Sequence, residues 1–196
     1  FFLFVVMLAR SSVRVASSYL RCFCTNASVL EGDALINSNN EKVTREEFFK
    51  GKKVVLFGVP GAFTPVCSQK HVPSYLSNAA EFKSKGVDTV ACLSVNDAFV
   101  MKAWAESCNV NQDDIVFLAD WNGSFVKQQG LNVDLGAANL GERSKRFSML
   151  IDNGNIVSKH VEVSPGDFEE TSAEKLLAEL DDSNTSNNDS DSENNN

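Results

Sequence analysis

The sequence predicts an α/β fold: a mostly parallel central sheet with an antiparallel C-terminal hairpin and helices on both faces. Three apolar runs rich in β-branched residues alternate with helical patterns, as strands buried on both faces do: KKVVLFGV (52–59), VDTVACLSV (87–95) and DIVFLAD (114–120). Later in the chain, Asn153-Gly154 joins two strand patterns, 146–152 and 155–163. An Asn-Gly pair in that position is the strongest short-range hairpin signal.

The helices are predicted from the signals at their ends. Thr44 and Glu47 form a capping box ahead of a short helix that should end near Gly51. A long helix is expected from Pro65 to about Lys85, closed by the glycine that follows. Three later helices are expected: one from Asn96 or Asp97 to about Cys108, a short one opened by Asn122-Gly123, and an amphipathic one over 172–180.

Residues 31–180 are expected to form the folded domain, after a targeting segment over residues 1–30. That segment has three arginines and no acid and is rich in serine, which is typical of an organelle transit peptide. We expect a mitochondrial location, with plastid or cytoplasm as alternatives. A secretory signal is the rival, since FFLFVVMLA is apolar, but no positive residue precedes it. Arg10 interrupts the run too early for a transmembrane helix.

Residues 181–196 are expected to be a disordered acidic tail. They contain five acids, no base and no apolar residue, so they cannot repay the entropy of ordering. The net charge of the whole chain is -8, which argues against binding to nucleic acid or to an acidic membrane.

Cys67 is the candidate catalytic residue. Thr64 as N-cap and Pro65 at the first helical position place Cys67 in the first turn of a helix, just after a buried strand. The positive end of a helix favours the thiolate over the thiol. The alternative is that Cys67 is a small buried apolar side chain.

The histidines and the other cysteines limit which reactions Cys67 could catalyse. The two histidines, His71 and His160, are not placed as the base of a papain-like protease, although His71 lies one turn after the cysteine and could support the site. Cys22 and Cys24 are the only close cysteine pair, and there is no C-x-x-C, so neither a metal site nor a disulfide reductase is indicated. A lone activated thiolate suits attack on a peroxide oxygen, which gives a sulfenic acid.

Three stretches resemble the peroxiredoxins of the type II (type 5) subfamily: KGKKVVLFGVPGAFTPVCSQKHVPSYL, VACLSVNDAFVMKAW and RSKRFSMLIDNG. The resemblance covers about Val29 to Leu180 and includes the specific P-x-x-x-T-x-x-C signature. It implies a thioredoxin-like fold and a cofactor-free peroxidase that reduces hydrogen peroxide and organic hydroperoxides. The rival hypothesis is a peroxide-responsive sensor or relay that oxidises a partner protein instead of turning over.

By position, the resemblance implies a role for each signature residue. Cys67 would be the peroxidatic cysteine, Thr64 Oγ would hydrogen-bond the thiolate and the peroxide, and Pro60 would shield the site. Arg146 would stabilise the thiolate and polarise the peroxide. Arg143 is a weaker candidate for that task, and a solvated loop charge is the better interpretation of it.

The resemblance leaves open how the sulfenic acid is reduced. One branch of the subfamily has a late resolving cysteine, where this chain presents Thr171. Plant members have one in the strand before SVND, where this chain has Cys92, which could equally be a plain core residue. Cys108 is expected to be structural. Thioredoxin is the expected reductant if a disulfide forms, and glutathione with glutaredoxin if none does.

The resemblance also implies a homodimer formed through the face near the active site. Trp104, Phe63 and Phe99 could supply apolar area there, although each could equally belong to the core.

Overall fold

The computed structural model describes residues 28–188 of the chain. Its nine strands are β1 (Leu35–Asn37), β2 (Lys42–Val43), β3 (Lys53–Val59), β4 (Thr89–Ser94), β5 (Val116–Ala119), β6 (Asn132–Asp134), β7 (Glu142–Ser144), β8 (Phe147–Asp152) and β9 (Asn155–Val161). Seven form one sheet in the order β2-β1-β5-β4-β3-β8-β9, while β6 and β7 form a separate pair.

The large sheet is mixed, which corrects the prediction of a mostly parallel sheet. The β3–β4 and β4–β5 pairs are parallel. The β1–β2, β1–β5, β3–β8 and β8–β9 pairs are antiparallel. The prediction was wrong because β1 and β2, of three and two residues, are too short to show a strand periodicity. In addition, the sequence did not show that the hairpin joins the sheet beside β3.

The hairpin itself is confirmed. β8 and β9 pair antiparallel, and the turn residues Asn153 and Gly154 have φ values of 47° and 77°. Both values lie in the left-handed region that a type I′ turn requires.

The helices are α1 (Arg45–Phe49), α2 (Val72–Ser84), α3 (Ala98–Ser107), α4 (Ser124–Gln128) and α5 (Ala173–Asn188), with a π turn over Cys67–His71 and a 3-10 turn over Gly136–Ala138. The capping box of Thr44 and Glu47 is present at α1, and Asp97 rather than Asn96 caps α3. None of the helices within residues 28–188 has the length and apolar character needed to cross a membrane.

Helices cover both faces of the sheet, as predicted. Along β3, Val55, Phe57 and Val59 pack in one core cluster with residues of α2, α3 and α5. The alternate residues Val54 and Leu56 pack in the other cluster with residues of α1 and α4. Side chains of successive strand residues point to opposite faces, so a strand with apolar residues at nearly every position needs both layers.

The ends of the folded domain differ from the predicted boundaries. Ser28 bridges to Asn155, and Val29 is fully buried with its N–H donating to the Gly154 carbonyl, so residues before 31 belong to the fold. The rest of the predicted transit segment lies outside the described residues. α5 continues into the predicted tail, because extending a formed helix needs no new nucleus and Asp181 pairs with Lys85. Residues 189–196 lie outside the described part of the chain.

We expect Gly58→Ala to destabilise the sheet near the carboxyl end of β3. Gly58 lies opposite Phe147 in the β3–β8 pair, and an added Cβ would lie 1.9 Å from a ring carbon of Phe147. Overpacking of this kind typically costs about 1–3 kcal/mol in the free energy of unfolding, which urea denaturation would measure. Gly166→Ala is the control, since its added Cβ would meet nothing within 4 Å. An unchanged unfolding midpoint for Gly58→Ala would contradict the tight contact.

Candidate active site

Cys67 lies just after the carboxyl end of β3, near the start of the helical segment that leads into α2. The helix begins at Pro65, as predicted, and then widens into the π turn, in which Val72 N–H donates to the Cys67 carbonyl. The side chain of Cys67 is fully buried. π turns inside helices occur frequently at functional sites, so the backbone here has a local feature that the sequence did not predict.

The guanidinium of Arg146 faces the sulfur of Cys67. Its Nη1 and Nη2 atoms each lie 3.5 Å from Cys67 Sγ. Nη2 also donates to the Pro165 carbonyl at 2.7 Å, and Nη1 lies 3.1 Å from Nδ1 of His71. Because Arg146 is itself buried, its charge acts on the sulfur across a poorly screening interior and can stabilise negative charge there.

His71 is a neutral imidazole that holds Arg146 in place. An arginine can only donate, so Nδ1 of His71 accepts from Nη1 and the ring hydrogen resides on Nε2. Burial lowers the pKa of His71 well below its ordinary value, the charge of Arg146 lowers it further, and a backbone interaction with Thr171 opposes the shift. The ring packs against Phe57 and Phe168, with centroid distances of 4.8 and 5.2 Å.

The loop before Cys67 is fixed by local hydrogen bonds. The Thr64 hydroxyl donates to the Gly61 carbonyl at 2.8 Å instead of accepting from the first turn of the helix, which corrects its predicted N-cap contact. Ala62 N–H donates to Oδ1 of Asn96 at 3.0 Å. Between them Phe63 has φ 60°, a value that is uncommon for residues other than glycine. The loop is therefore held in one shape.

A cavity of about 360 Å³ opens beside this loop. Its polar side chains include Thr64 and Arg146, while most of the wall is apolar or backbone. It is lined by Pro60, Thr64, Pro65, Val66, Leu135, Ala138, Leu140, Arg146, Ser164, Pro165 and Gly166. The structure thus brings three predicted site residues, Pro60, Thr64 and Arg146, to one cavity, and Arg146 contacts the sulfur of Cys67.

Arg143 connects two loops, and the interpretation of it as a solvated charge is wrong. Its side chain is half-buried, with Nε donating to the Leu140 carbonyl at 2.9 Å and Nη1 to the Val95 carbonyl at 3.2 Å. The sequence could not show this because both acceptors are backbone carbonyls, and that of Val95 belongs to a distant segment.

Cys92 and Cys108 are thiols in poor surroundings for nucleophilic attack. Cys92 lies in β4, is fully buried and shares a core cluster with Cys67. Burial raises the pKa of Cys92 well above its ordinary value, and Cys67 and Cys108 raise it further. Burial also raises the pKa of Cys108, which caps the C-terminus of α3. Cys22 and Cys24 lie outside the described residues.

The three aromatic residues predicted near a dimer face separate into two groups. Trp104 is fully buried and its Nε1 donates to the Ser68 hydroxyl at 3.0 Å, so it is a core residue next to the candidate site. Phe63 and Phe99 remain 57% and 71% exposed, and they keep the apolar area that a partner could cover.

Two residues that contact Arg146 were not predicted from the sequence. Pro165 contributes only its backbone carbonyl, which no sequence pattern reveals. Glu162 is a buried carboxylate in the segment after β9, and an acid within an apolar strand pattern was its only signal. Within residues 28–188, no group of three or more His, Cys, Asp or Glu side chains is placed to hold a metal ion.

Known proteins resemble this chain in sequence and in fold. The Redoxin family matches residues 24–177. Peroxiredoxin-2F, mitochondrial, from Arabidopsis thaliana is 47% identical over 148 residues, covering 76% of this chain and 73% of the relative. Peroxiredoxin-2E, chloroplastic, from the same plant is 43% identical over 180 residues, covering 84% and 76%. The structure of reduced Prx3 in complex with H₂O₂ from Vibrio vulnificus has a TM-score of 0.73 and 46% identity, covering 79% of this chain and 97% of that one.

The neutral state of His71 predicts a pH dependence of stability. In the unfolded chain His71 takes up a proton as the pH falls through about 6.5, whereas the folded site resists it, so folding stability is lost below that pH. The contribution amounts to at most about 1.4 kcal/mol per pH unit. Urea unfolding between pH 7.5 and 5 should therefore show a shallower loss for His71→Asn than for the wild type. Equal slopes would contradict the neutral assignment.

Proposed function

This chain belongs to the Redoxin family and is a thiol-dependent peroxidase of the peroxiredoxin type, and we propose that it reduces hydrogen peroxide and organic hydroperoxides at Cys67. The observation that carries the proposal is the contact of both Arg146 Nη atoms with Cys67 Sγ at 3.5 Å. A buried cation held on a sulfur is what a nucleophilic thiolate requires. A relative of known structure has been solved with hydrogen peroxide bound, which supports the proposed substrate class.

The proposed reaction transfers one oxygen atom to sulfur. The Cys67 thiolate attacks one peroxide oxygen, an S–O bond forms as the O–O bond breaks, and the leaving alkoxide or hydroxide takes a proton to become alcohol or water. Cysteine is oxidised to a sulfenic acid while the peroxide is reduced. The Arg146 N–H groups contact the sulfur, so they can stabilise the attacking thiolate, and in the proposed reaction they also stabilise the charge that develops on the peroxide oxygen.

Thr64 and Pro60 support this reaction from the cavity wall. The Thr64 hydroxyl uses its hydrogen on the Gly61 carbonyl, so its oxygen is free to accept the O–H of a bound peroxide. Pro60 has no N–H to compete for the peroxide, and it is buried next to the loop. The largely apolar cavity can accommodate the alkyl part of an organic hydroperoxide.

We propose that an external thiol, glutathione with glutaredoxin, reduces the sulfenic acid. The buried Cys92 has a raised pKa, so little thiolate is present for an internal attack. Thr171 stands where one branch of the subfamily has its late resolving cysteine, and it is likewise buried. The competing route is a disulfide with Cys92, which shares a core cluster with Cys67, followed by reduction by thioredoxin. That route requires local opening of the fold.

Intact mass of the full-length Cys22→Ser/Cys24→Ser protein distinguishes these routes. After one equivalent of hydrogen peroxide we expect a gain of one oxygen, converted by glutathione to a mixed disulfide. Cys67→Ser should abolish both products, and Cys92→Ser should leave them unchanged. A loss of two hydrogens that requires both Cys67 and Cys92 would overturn the external route in favour of thioredoxin. Absence of any oxidation at Cys67 would overturn the proposed function.

Repeated turnover separates an enzyme from a sensor. A peroxidase should consume many equivalents of peroxide when glutathione and glutaredoxin, or thioredoxin, regenerate Cys67. Consumption that stops after one equivalent with every reductant would instead support a relay that passes oxidation to a partner protein.

We propose that residues before the folded domain direct the protein to mitochondria. The supporting features are the three arginines and missing acids of residues 1–30 and the mitochondrial relative at 47% identity. Because Ser28 and Val29 contact the domain, we place the processing point before Ser28. Residues 1–30 fused to a fluorescent protein should accumulate in mitochondria, and accumulation in plastids or cytoplasm would contradict the proposal.

We propose a homodimer formed through the exposed rings of Phe63 and Phe99. Phe99→Lys should raise the dissociation constant of the dimer at least about tenfold, because a charge replaces a central apolar contact, and sedimentation velocity would measure it. Trp121→Lys is the matched control, since Trp121 is another exposed aromatic residue, at 61%. Equal dissociation constants for Phe99→Lys and the wild type would exclude this face.

A further inference from the structure

A single buried carboxylate closes the loop that follows β9. Glu162 is only 6% exposed, and its Oε1 accepts from the N–H groups of Glu169, Glu170 and Thr171 at 2.9, 2.8 and 2.9 Å. The Thr171 hydroxyl donates to the same oxygen at 2.9 Å. One end of the segment over residues 162–171, called here the 162–171 loop, is therefore fastened to its other end. A buried carboxylate needs such donors to offset the loss of water.

The 162–171 loop supplies parts of the candidate active site. Its Pro165 carbonyl accepts from Nη2 of Arg146 at 2.7 Å. Ser164, Pro165 and Gly166 form part of the cavity wall, and the ring of Phe168 packs on His71 with a centroid distance of 5.2 Å. The position of this loop thus affects both neighbours of the Arg146 guanidinium, the Pro165 carbonyl and His71.

Glu162 also connects the loop to Arg146 through the backbone. Its N–H donates to the Arg146 carbonyl at 3.0 Å, one step beyond the last register pair of β8 and β9. At the other end of the loop, the Thr171 carbonyl accepts from the Tyr75 hydroxyl at 3.0 Å. Glu162 therefore links Arg146, the residue before β8, to a segment anchored on α2.

The other contacts of the loop do not join its ends. Ser164 N–H and the Asp167 carboxylate form a local turn within it. The ion pair between Glu170 and Lys175 is largely exposed, and exposed pairs contribute little. The four hydrogen bonds to Glu162 are buried or partly buried, and they join the two ends of the loop that contains Pro165.

We propose that Glu162 is a positioning residue for peroxide reduction, one that acts through Arg146. Its carboxylate fixes the 162–171 loop so that the Pro165 carbonyl and His71 hold the guanidinium on Cys67 Sγ. The proposal rests on the function proposed above, and it assigns to Glu162 no contact with peroxide.

Glu162→Gln tests the proposal in the full-length protein with glutathione and glutaredoxin supplied. The amide keeps the side-chain shape but lacks the charge that gathers four donors. We expect the second-order rate of Cys67 oxidation by hydrogen peroxide to fall about 10- to 100-fold, since small displacements of positioning groups have effects of this size. The matched control is Glu169→Gln, an exposed acid in the same loop, which should stay within about twofold of the wild type.

A double-mutant cycle separates this role from general destabilisation. In the Arg146→Lys background the guanidinium is absent, so adding Glu162→Gln should change the oxidation rate less than about twofold. The rate of Cys67 alkylation by iodoacetamide at neutral pH should fall in Glu162→Gln, as in Arg146→Lys. Thr171→Val removes one of the four donors, so it should give a smaller change of the same kind. It replaces Glu162→Gln as the test variant if Glu162→Gln folds poorly.

Equal oxidation rates for Glu162→Gln and wild type would overturn the proposal, as would an effect of full size in the Arg146→Lys background. If Glu162→Gln does not fold, unchanged oxidation and alkylation rates in Thr171→Val would overturn it as well. These outcomes are distinct from failure of the proposed function, because in that case the wild-type Cys67 would itself not react with peroxide.

Discussion

The contact between Arg146 and Cys67 determines how the surrounding structure is arranged. A buried guanidinium is costly unless hydrogen-bond acceptors replace its water. Here the Pro165 carbonyl and Nδ1 of His71 supply two acceptors, and the Cys67 sulfur lies 3.5 Å from both Nη atoms. His71 can serve in this way only while neutral, and its burial ensures that. The sulfur thus faces a cation whose two Nη atoms are each held by a second contact, while its buried Nε has no hydrogen-bond partner among the described residues.

The sheet topology creates this contact from distant parts of the chain. β3 pairs with β8 so that Gly58 lies opposite Phe147, which places the end of β3 beside the residue that precedes β8. Cys67 follows the end of β3, and Arg146 is the residue that precedes β8. The missing side chain of Gly58 makes room for the ring of Phe147. Packing in the sheet therefore also helps to bring Cys67 and Arg146 close together.

Local features of the site could be predicted from the sequence, whereas its long-range contacts could not. Thr64 and Pro65 located the helix start, and alternation of strands and helices gave both layers of the fold. The mixed sheet was missed because β1 and β2 are so short, and the roles of Pro165 and Glu162 were missed because they depend on backbone groups. The proximity of Arg146 to Cys67 came only from the family resemblance, since no local pattern links residues so far apart.

The burial of Cys67 limits which molecules can reach its sulfur. Cys67 is fully buried and does not itself line the cavity, so a protein thiol cannot reach its sulfur in this conformation. Cys92 lies in β4, paired on both sides by β3 and β5, so moving it would break the centre of the sheet. The π turn that holds Cys67 is different: it precedes α2 and has no sheet pairing to lose. Local opening that exposes the sulfenic acid would therefore cost less at the π turn than at Cys92. This asymmetry favours reduction by an external thiol over an internal disulfide.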